Sequence, residues 1–149
     1  MNFEYLERLS PSRKLRVAVV TETFPPEVNG VAATIGVMIQ GLRARGHDVD
    51  VIRPRQLSDH SATAPALQNE LLVPGLPVPG YASLRFGVPS TGRLMRRWRE
   101  CRPDVVQVVT EGPLGWSAVR AARKLAIPCA SEFHTNFHSY SAYYRAGWL

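Results

Sequence analysis

Cysteine is nearly absent from this 149-residue sequence, which carries only Cys101 and Cys129. Two thiols build no disulfide framework, and neither has a cysteine or histidine at zinc-finger spacing, so a stapled secreted scaffold is excluded. Both stand in apolar stretches, which predicts buried, reduced thiols and a cytoplasmic compartment. Long apolar runs are missing as well: nothing approaches the roughly 20 residues that span a bilayer. The first fifteen residues interrupt their apolar positions with Glu4, Glu7, Arg8 and Arg13, a pattern that predicts no secretory leader. Lysine is scarce, with Lys14 and Lys124 alone, so the net charge of +6 rests on arginine. Arginine suits phosphate recognition. A GC-rich coding sequence gives the same bias, however, and no nucleic-acid-binding motif accompanies the charge, so no nucleic acid partner is expected. Nor is there a G-x-G-x-x-G, and Arg53-Pro54-Arg55 stands where an acidic residue would hold a ribose. A nicotinamide dinucleotide is therefore not expected.

What is present is an ordinary globular composition, 45% hydrophobic, in about one domain's length. Residues 1–14 read as a short lead. Leu15 to Thr21 is apolar and β-branched, which predicts a strand covered on both faces. Val31, Ile35, Met38, Ile39 and Leu42 then recur at helical spacing, with Gly46 placed as the stop. Val49 to Ile52 follows as a second strand and completes a βαβ unit. The pattern repeats with a helix over Arg93–Arg102, a strand over Val105–Val109, a helix over Leu114–Leu125 and a strand over Cys129–Phe133. This alternation predicts an α/β fold, Rossmann-like, with a largely parallel sheet and helices on both faces. The stretch from Pro54 to Pro89 is the least regular. It holds a short strand at Glu70–Val73 and reads either as a ligand-facing loop or as a tolerated insertion.

Polar and special residues gather just past the predicted carboxyl ends of the strands, where doubly wound sheets bind ligands. TETFPPEVNG (21–30), TEGPLG (110–115) and HTNFH (134–138) are therefore expected to border one cleft. In the first, Asn29 and Gly30 precede the helix that Val31 begins. A positive φ at Gly30 would aim free N–H groups at an anion; the plainer reading makes Asn29 an N-cap and Gly30 a turn residue. In the second, Glu111-Gly112-Pro113 opens a helix, and Glu111 either caps it or meets a ligand. In the third, His134 and His138 stand four apart, but no third ligand accompanies them and no metal is expected. His134 either donates to a sugar hydroxyl and offsets developing charge or is structural. The Arg93–Arg102 helix sets Arg93, Arg96, Arg97, Arg99 and Arg102 around Leu94, Met95 and Trp98. It suits an anionic membrane surface or is simply a solvated face.

RVAVVTETFPPEVNGVAATIGVMIQGLRARGHDVDVIRP and PDVVQVVTEGPLGWSAVRAARKLAIPCASEFHTNFHSY together resemble the N-terminal, acceptor-side domain of family 4 retaining glycosyltransferases of GT-B architecture. The branch they look most like contains bacterial GDP-mannose-dependent mannosyltransferases. The resemblance implies transfer of a hexose, mannose in that branch, from a nucleotide-diphosphate sugar such as GDP-mannose to a lipid or glycan acceptor. It implies no metal and no cofactor beyond that co-substrate. By matching position, Asn29, Gly30 and Val31 lie near the donor diphosphate and acceptor, His134 is the catalytic contact to the transferring sugar, and Glu111, Gly112 and Thr135 line the acceptor side. It further implies a cytoplasmic protein, peripheral at the inner face of the plasma membrane. The resemblance runs from Leu15 to the end and makes residues 15–149 part of a first domain that is inactive alone. The family's nucleotide-sugar domain, with its Arg/Lys pair and Glu-x7-Glu motif, is expected to be absent. A binding module without chemistry, holding an anion or a membrane surface, is the other reading.

Overall fold

The computed structural model describes residues 13–60, 69–79 and 81–132. In chain order the elements are β1 (Arg16–Val20), α1 (Gly30–Ala44), β2 (Asp48–Pro54), a 3₁₀ turn (Leu57–His60), β3 (Glu70–Val73), β4 (Gly75–Val78), β5 (Tyr81–Gly87), α2 (Thr91–Glu100), β6 (Val105–Val108), α3 (Pro113–Lys124) and β7 (Cys129–Ser131). Five strands form one sheet in the order β3-β2-β1-β6-β7, and every neighbouring pair in it is parallel.

Strand alternation divides the core in two. Val17 and Val19 of β1 point to one side, where they meet Ile35 and Ile39 of α1 together with Phe24, Val49, Val51 and Val109. Ala18 and Val20 point to the other, against Leu94 and Trp98 of α2 and Leu114, Ala118, Ala121 and Ala122 of α3. The sheet is thus covered on both faces, which is why its strands read as nearly continuous apolar runs. Charge also ties the layers together: Arg97 of α2 donates from Nε and Nη2 to Asp50 of β2 at 3.1 Å each. The helix stop falls as expected, since α1 ends at Ala44 and Gly46 adopts φ 84°, a left-handed geometry that costs a residue with a Cβ.

Two expectations are corrected. The stretch from Pro54 to Pro89 is more regular than its prolines suggest. The expected short strand Glu70–Val73 is there, as β3, and it joins the main sheet beside β2, but β4 and β5 form an antiparallel hairpin whose pairing is irregular after Pro77. Proline can sit in so short a two-stranded ribbon because half of its backbone groups need no ladder partner. Cys129 is exposed because β7 is the outermost described strand on its side and all three of its residues are open, and Cys101 is only half-buried at the C-cap of α2.

The chain passes from β1 through β2 to β3, then returns to the other side of β1 for β6 and β7. The reversal lies between β1 and β6. The chain leaves their carboxyl ends toward opposite faces there, the place where doubly wound sheets bind ligands.

Candidate functional site

The loop after β1 is held in place before any ligand arrives. Thr21 N–H donates to Ile52 O at 3.0 Å and Glu27 N–H to Phe24 O at 3.1 Å, while Phe24 is buried. The Pro25 ring lies against α1 at Gly36, where a Cβ would stand 3.2 Å from it. Asn29 Oδ1 accepts the Ala32 N–H at 2.8 Å, and its Nδ2 donates to Thr23 Oγ1 at 2.7 Å. The Thr23 hydroxyl in turn donates to the Glu27 carboxylate. Burial pushes the Glu27 carboxyl above its ordinary value, against the Thr23 bond and the Arg53 charge that favour ionisation. Its other oxygen, Oε1, is buried with no partner.

Asn29 is therefore the N-cap, in extended conformation at φ −153°. Gly30 is the first helical residue and does not take the positive φ that the sequence suggested; among the described residues Gly46 is the glycine that does. The extended cap makes the change of direction and relieves Gly30 of that task. A Cβ at Gly30 would meet nothing within 4 Å, so no packing requires glycine there. Asn29 Oδ1 satisfies Ala32, and Ala33 N–H donates to Asn29 O at 3.1 Å. Gly30 and Val31 are left with N–H groups that have no intrahelical acceptor, at the positive end of a 15-residue helix. Gly30 is exposed and Val31 half-buried.

The loops after β1 and β6 meet through Glu22. Its N–H donates to Thr110 Oγ1 at 2.8 Å. Its Oε1 accepts the Leu114 N–H at 3.1 Å, and its Oε2 accepts the Gly87 N–H of β5 at 2.5 Å. Burial raises the Glu22 carboxyl, and the two backbone N–H bonds work in the opposite direction. Gly112 has a packing reason for being glycine, since a Cβ there would strike Glu22. Glu111 is not the cap of α3: it is exposed, with no bonded partner among the described residues. The carboxylate at that helix start comes from Glu22 instead. The hairpin that the sequence left irregular reaches the same rim through Gly87.

β7 lies parallel to β6, and Glu132 just beyond it donates its N–H to Val108 O at 2.9 Å. His134 and Thr135 lie outside the described residues, as do His138, the lead up to residue 12 and the aromatic residues from Phe133 onward. A recess of about 400 Å³ at the opposite rim is lined by Lys14, Arg16, Asp48, Arg102 and Asp104. There Arg16 pairs with Asp48 at 3.0 Å, Asp104 accepts the Arg16 backbone N–H at 2.8 Å, and Arg102 donates to Ala126 O at 3.0 Å. Arg53, at the ribose position of a dinucleotide fold, is likewise engaged: it grips Asp59 with two bonds of 2.8 Å and Glu70 with one of 2.5 Å. On α2, Leu94 and Trp98 are buried in the core, so no apolar face remains to enter a membrane. What it offers outward is cationic: Arg93, Arg96 and Arg99 are exposed and carry no ion pair among the described residues. No described helix is long and apolar enough to cross a membrane.

A reversal point in a parallel sheet with an open helix start beside it is where doubly wound folds of many kinds bind their ligands. Comparison with known proteins separates them: residues 28–149 match the family described as Glycosyltransferase Family 4. The chain belongs to glycosyltransferase family 4. It is 33% identical over 143 residues to a GDP-mannose-dependent alpha-mannosyltransferase of Mycobacterium tuberculosis, covering 90% of this chain and 37% of the relative. To the protein of the same description from Corynebacterium glutamicum it is 35% identical over 133 residues, 89% of this chain and 32% of the relative. An alpha-monoglucosyldiacylglycerol synthase of Acholeplasma laidlawii is 29% identical over 130 residues, 87% of this chain and 32% of the relative. The chain thus spans about a third of the length of the curated relatives it matches.

Within this family 4 domain the structure brings together the segments bearing Asn29, Gly30, Val31, Glu111 and Gly112. Sequence reasoning missed Glu22, Thr23 and Glu27. One signal for Glu22 was available. α3 opens with Gly112-Pro113 and no Ser, Thr, Asp or Asn cap, so its N–H groups needed an acceptor from another segment.

Proposed function

We propose that this family 4 domain forms the acceptor-side wall of a retaining glycosyltransferase that moves mannose from GDP-mannose to a lipid or glycan acceptor. The observation that carries the reading is the start of α1. Gly30 and Val31 offer N–H groups without intrahelical acceptors, and Gly30 leaves its surroundings open for no packing reason. A diphosphate is the group such a helix end favours, and GDP-mannose is what two of the relatives are named for. In this reading His134 contacts the transferring sugar, and Glu111, Gly112 and Thr135 line the acceptor side. The protein contributes position and a preorganised field for a sugar that becomes cation-like as its bond to phosphate breaks. A second domain holds the nucleotide, so the 149 residues alone do not turn over. The exposed arginines of α2 hold the protein peripherally on the anionic inner face of the plasma membrane by charge alone.

The test is mannose transfer from GDP-mannose to a lipid acceptor, measured in a protein of the relatives' length that carries these residues. His134→Ala should lower transfer by a factor of about 100 or more, the usual size of losing one group that stabilises developing charge. Unchanged transfer removes His134 from the site, and transfer by the 149 residues alone refutes the division of labour. Sedimentation with phosphatidylglycerol vesicles tests the membrane contact, which should weaken with salt and with Arg93, Arg96 and Arg99 replaced by Glu.

A further inference from the structure

Two helices begin at the crevice, and they differ in what sits at their starts. α1 presents the Gly30 and Val31 N–H groups openly. At α3 the first N–H after Pro113 belongs to Leu114, and it is already bonded to a carboxylate from another segment, Glu22 Oε1 at 3.1 Å. We infer that Glu22 is a built-in anion of the cleft, a positioning residue that fills the α3 start and thereby directs a ligand phosphate to the N–H pair of Gly30 and Val31. The second half of this statement rests on the diphosphate reading above; the first does not.

Three observations support the assignment. Both carboxylate oxygens are used, one on Leu114 and the other on Gly87 at 2.5 Å, so two converging donors are satisfied by one ionised group. A carboxamide has a single acceptor oxygen and would turn its NH₂ toward one of them. Secondly, the seat is cut to the size of this side chain. A Cβ at Gly112 would lie 2.7 Å from Glu22 Cδ and 2.8 Å from its Cγ. Thirdly, Glu22 N–H donates to Thr110 Oγ1 at 2.8 Å, so the same residue fixes the loop leading to α1 against the one leading to α3. A negative charge already bound at one helix start repels a second anion there and leaves the other start as the place where one is stabilised.

The experiment is an amide chemical-shift titration of the ¹⁵N-labelled 149-residue chain with inorganic phosphate, and with formate, in wild type, Glu22→Ala and Glu22→Gln. In wild type, phosphate should move the Gly30 and Val31 signals and leave Leu114 and Gly87 in place. In Glu22→Ala the vacated seat should admit formate: the Leu114 and Gly87 signals respond, and the melting temperature rises by about 3 °C or more where equal chloride gives nothing. Glu22→Gln keeps the seat filled, so formate should have no effect, while one of the two amide signals loses its carboxylate-bonded position. Should Glu22→Ala not fold, folding on addition of formate supports the assignment, and failure of formate to restore it overturns the assignment. Phosphate shifts at Leu114 and Gly87 in wild type, or formate-insensitive Leu114 and Gly87 in a folded Glu22→Ala, also overturn it. Silence at Gly30 and Val31 alone, with formate rescue intact, overturns the diphosphate reading and supports the seat.

Discussion

Gly112→Ala should be among the most damaging small substitutions in this domain, and the reason is a side chain 90 positions away. Gly112 has φ −115° and ψ −178°, extended backbone that alanine adopts freely, so conformation is no obstacle. Taken alone, the change would stabilise by about 0.4–1 kcal/mol through the unfolded chain. The added methyl, however, would lie 2.7 Å from Glu22 Cδ and 2.8 Å from Cγ and would collide with Oε1. Glu22 must then leave Leu114 and Gly87, stranding two N–H groups that the carboxylate served. Hydrogen bonds to charged groups are worth about 1.5–3 kcal/mol each, so the net loss should be about 2–5 kcal/mol, a large part of the roughly 5–15 kcal/mol a domain possesses. The assay is urea unfolding followed by circular dichroism in a cycle of wild type, Gly112→Ala, Glu22→Ala and the double variant. With Glu22 already shortened, Gly112→Ala should cost nothing or stabilise slightly, giving a coupling of at least about 2 kcal/mol. An equal cost in both backgrounds would show that the methyl and the Glu22 side chain do not collide.

Two further outcomes follow from the buried charges. Arg53→Met leaves Asp59 and Glu70 facing one another without their shared cation and should cost about 3–5 kcal/mol; a loss under about 1 kcal/mol in urea unfolding would show that the cluster relaxes. Glu22 and Glu27 are held above their ordinary value of 4.5 by burial. Their contribution to stability is complete below that value and declines as pH rises through their native ones, because the folded state binds those protons more tightly. Asp59 has the opposite sign: its partner Arg53 holds it below 3.8, so its contribution is present above that value and lost as pH falls through the native one. Urea midpoints should therefore drop from about pH 4.5 toward neutrality, and Glu27→Gln should flatten that drop, whereas an unchanged slope in Glu27→Gln counts against the buried, half-partnered carboxylate.

Much of the fold was written in local pattern. The valines of β1 and the helical spacing from Val31 to Leu42 each reflect burial against a neighbouring layer, and burial is what periodicity reports. Glu70–Val73 was legible for the same reason. The β4–β5 hairpin was not, because β4 is four residues long, carries Pro77 within it and has Pro74 and Pro79 on either side, which leaves no apolar period to read. The site was legible as a place rather than as a mechanism. Loops past strand ends must share a rim in a parallel sheet, so the segments bearing Gly30 and Glu111 could be grouped before any coordinates. Which carboxylate would cap α3 could not be read, since Glu22 and Leu114 are 92 residues apart and only the pairing of β1 with β6 brings them together. Nothing local distinguishes a glycine kept for a ligand from one kept for a neighbour. The space around each one does: Gly112 is crowded by Glu22, and Gly30 is open.

That contrast makes Gly30→Ala the sharpest test of whether the start of α1 seats a phosphate, with thermal stability and affinity for inorganic pyrophosphate read on the same protein. Because Gly30 is helical and its missing Cβ would touch nothing, the variant should melt at the wild-type temperature or slightly above it, gaining a fraction of the about 1 kcal/mol by which alanine is favoured in helices. Affinity should fall by about tenfold or more, a loss of about 1.4 kcal/mol, because the methyl intrudes where the anion approaches the N–H pair. Unchanged affinity at unchanged stability would contradict the account, since the helix start would then be open without being a seat for phosphate.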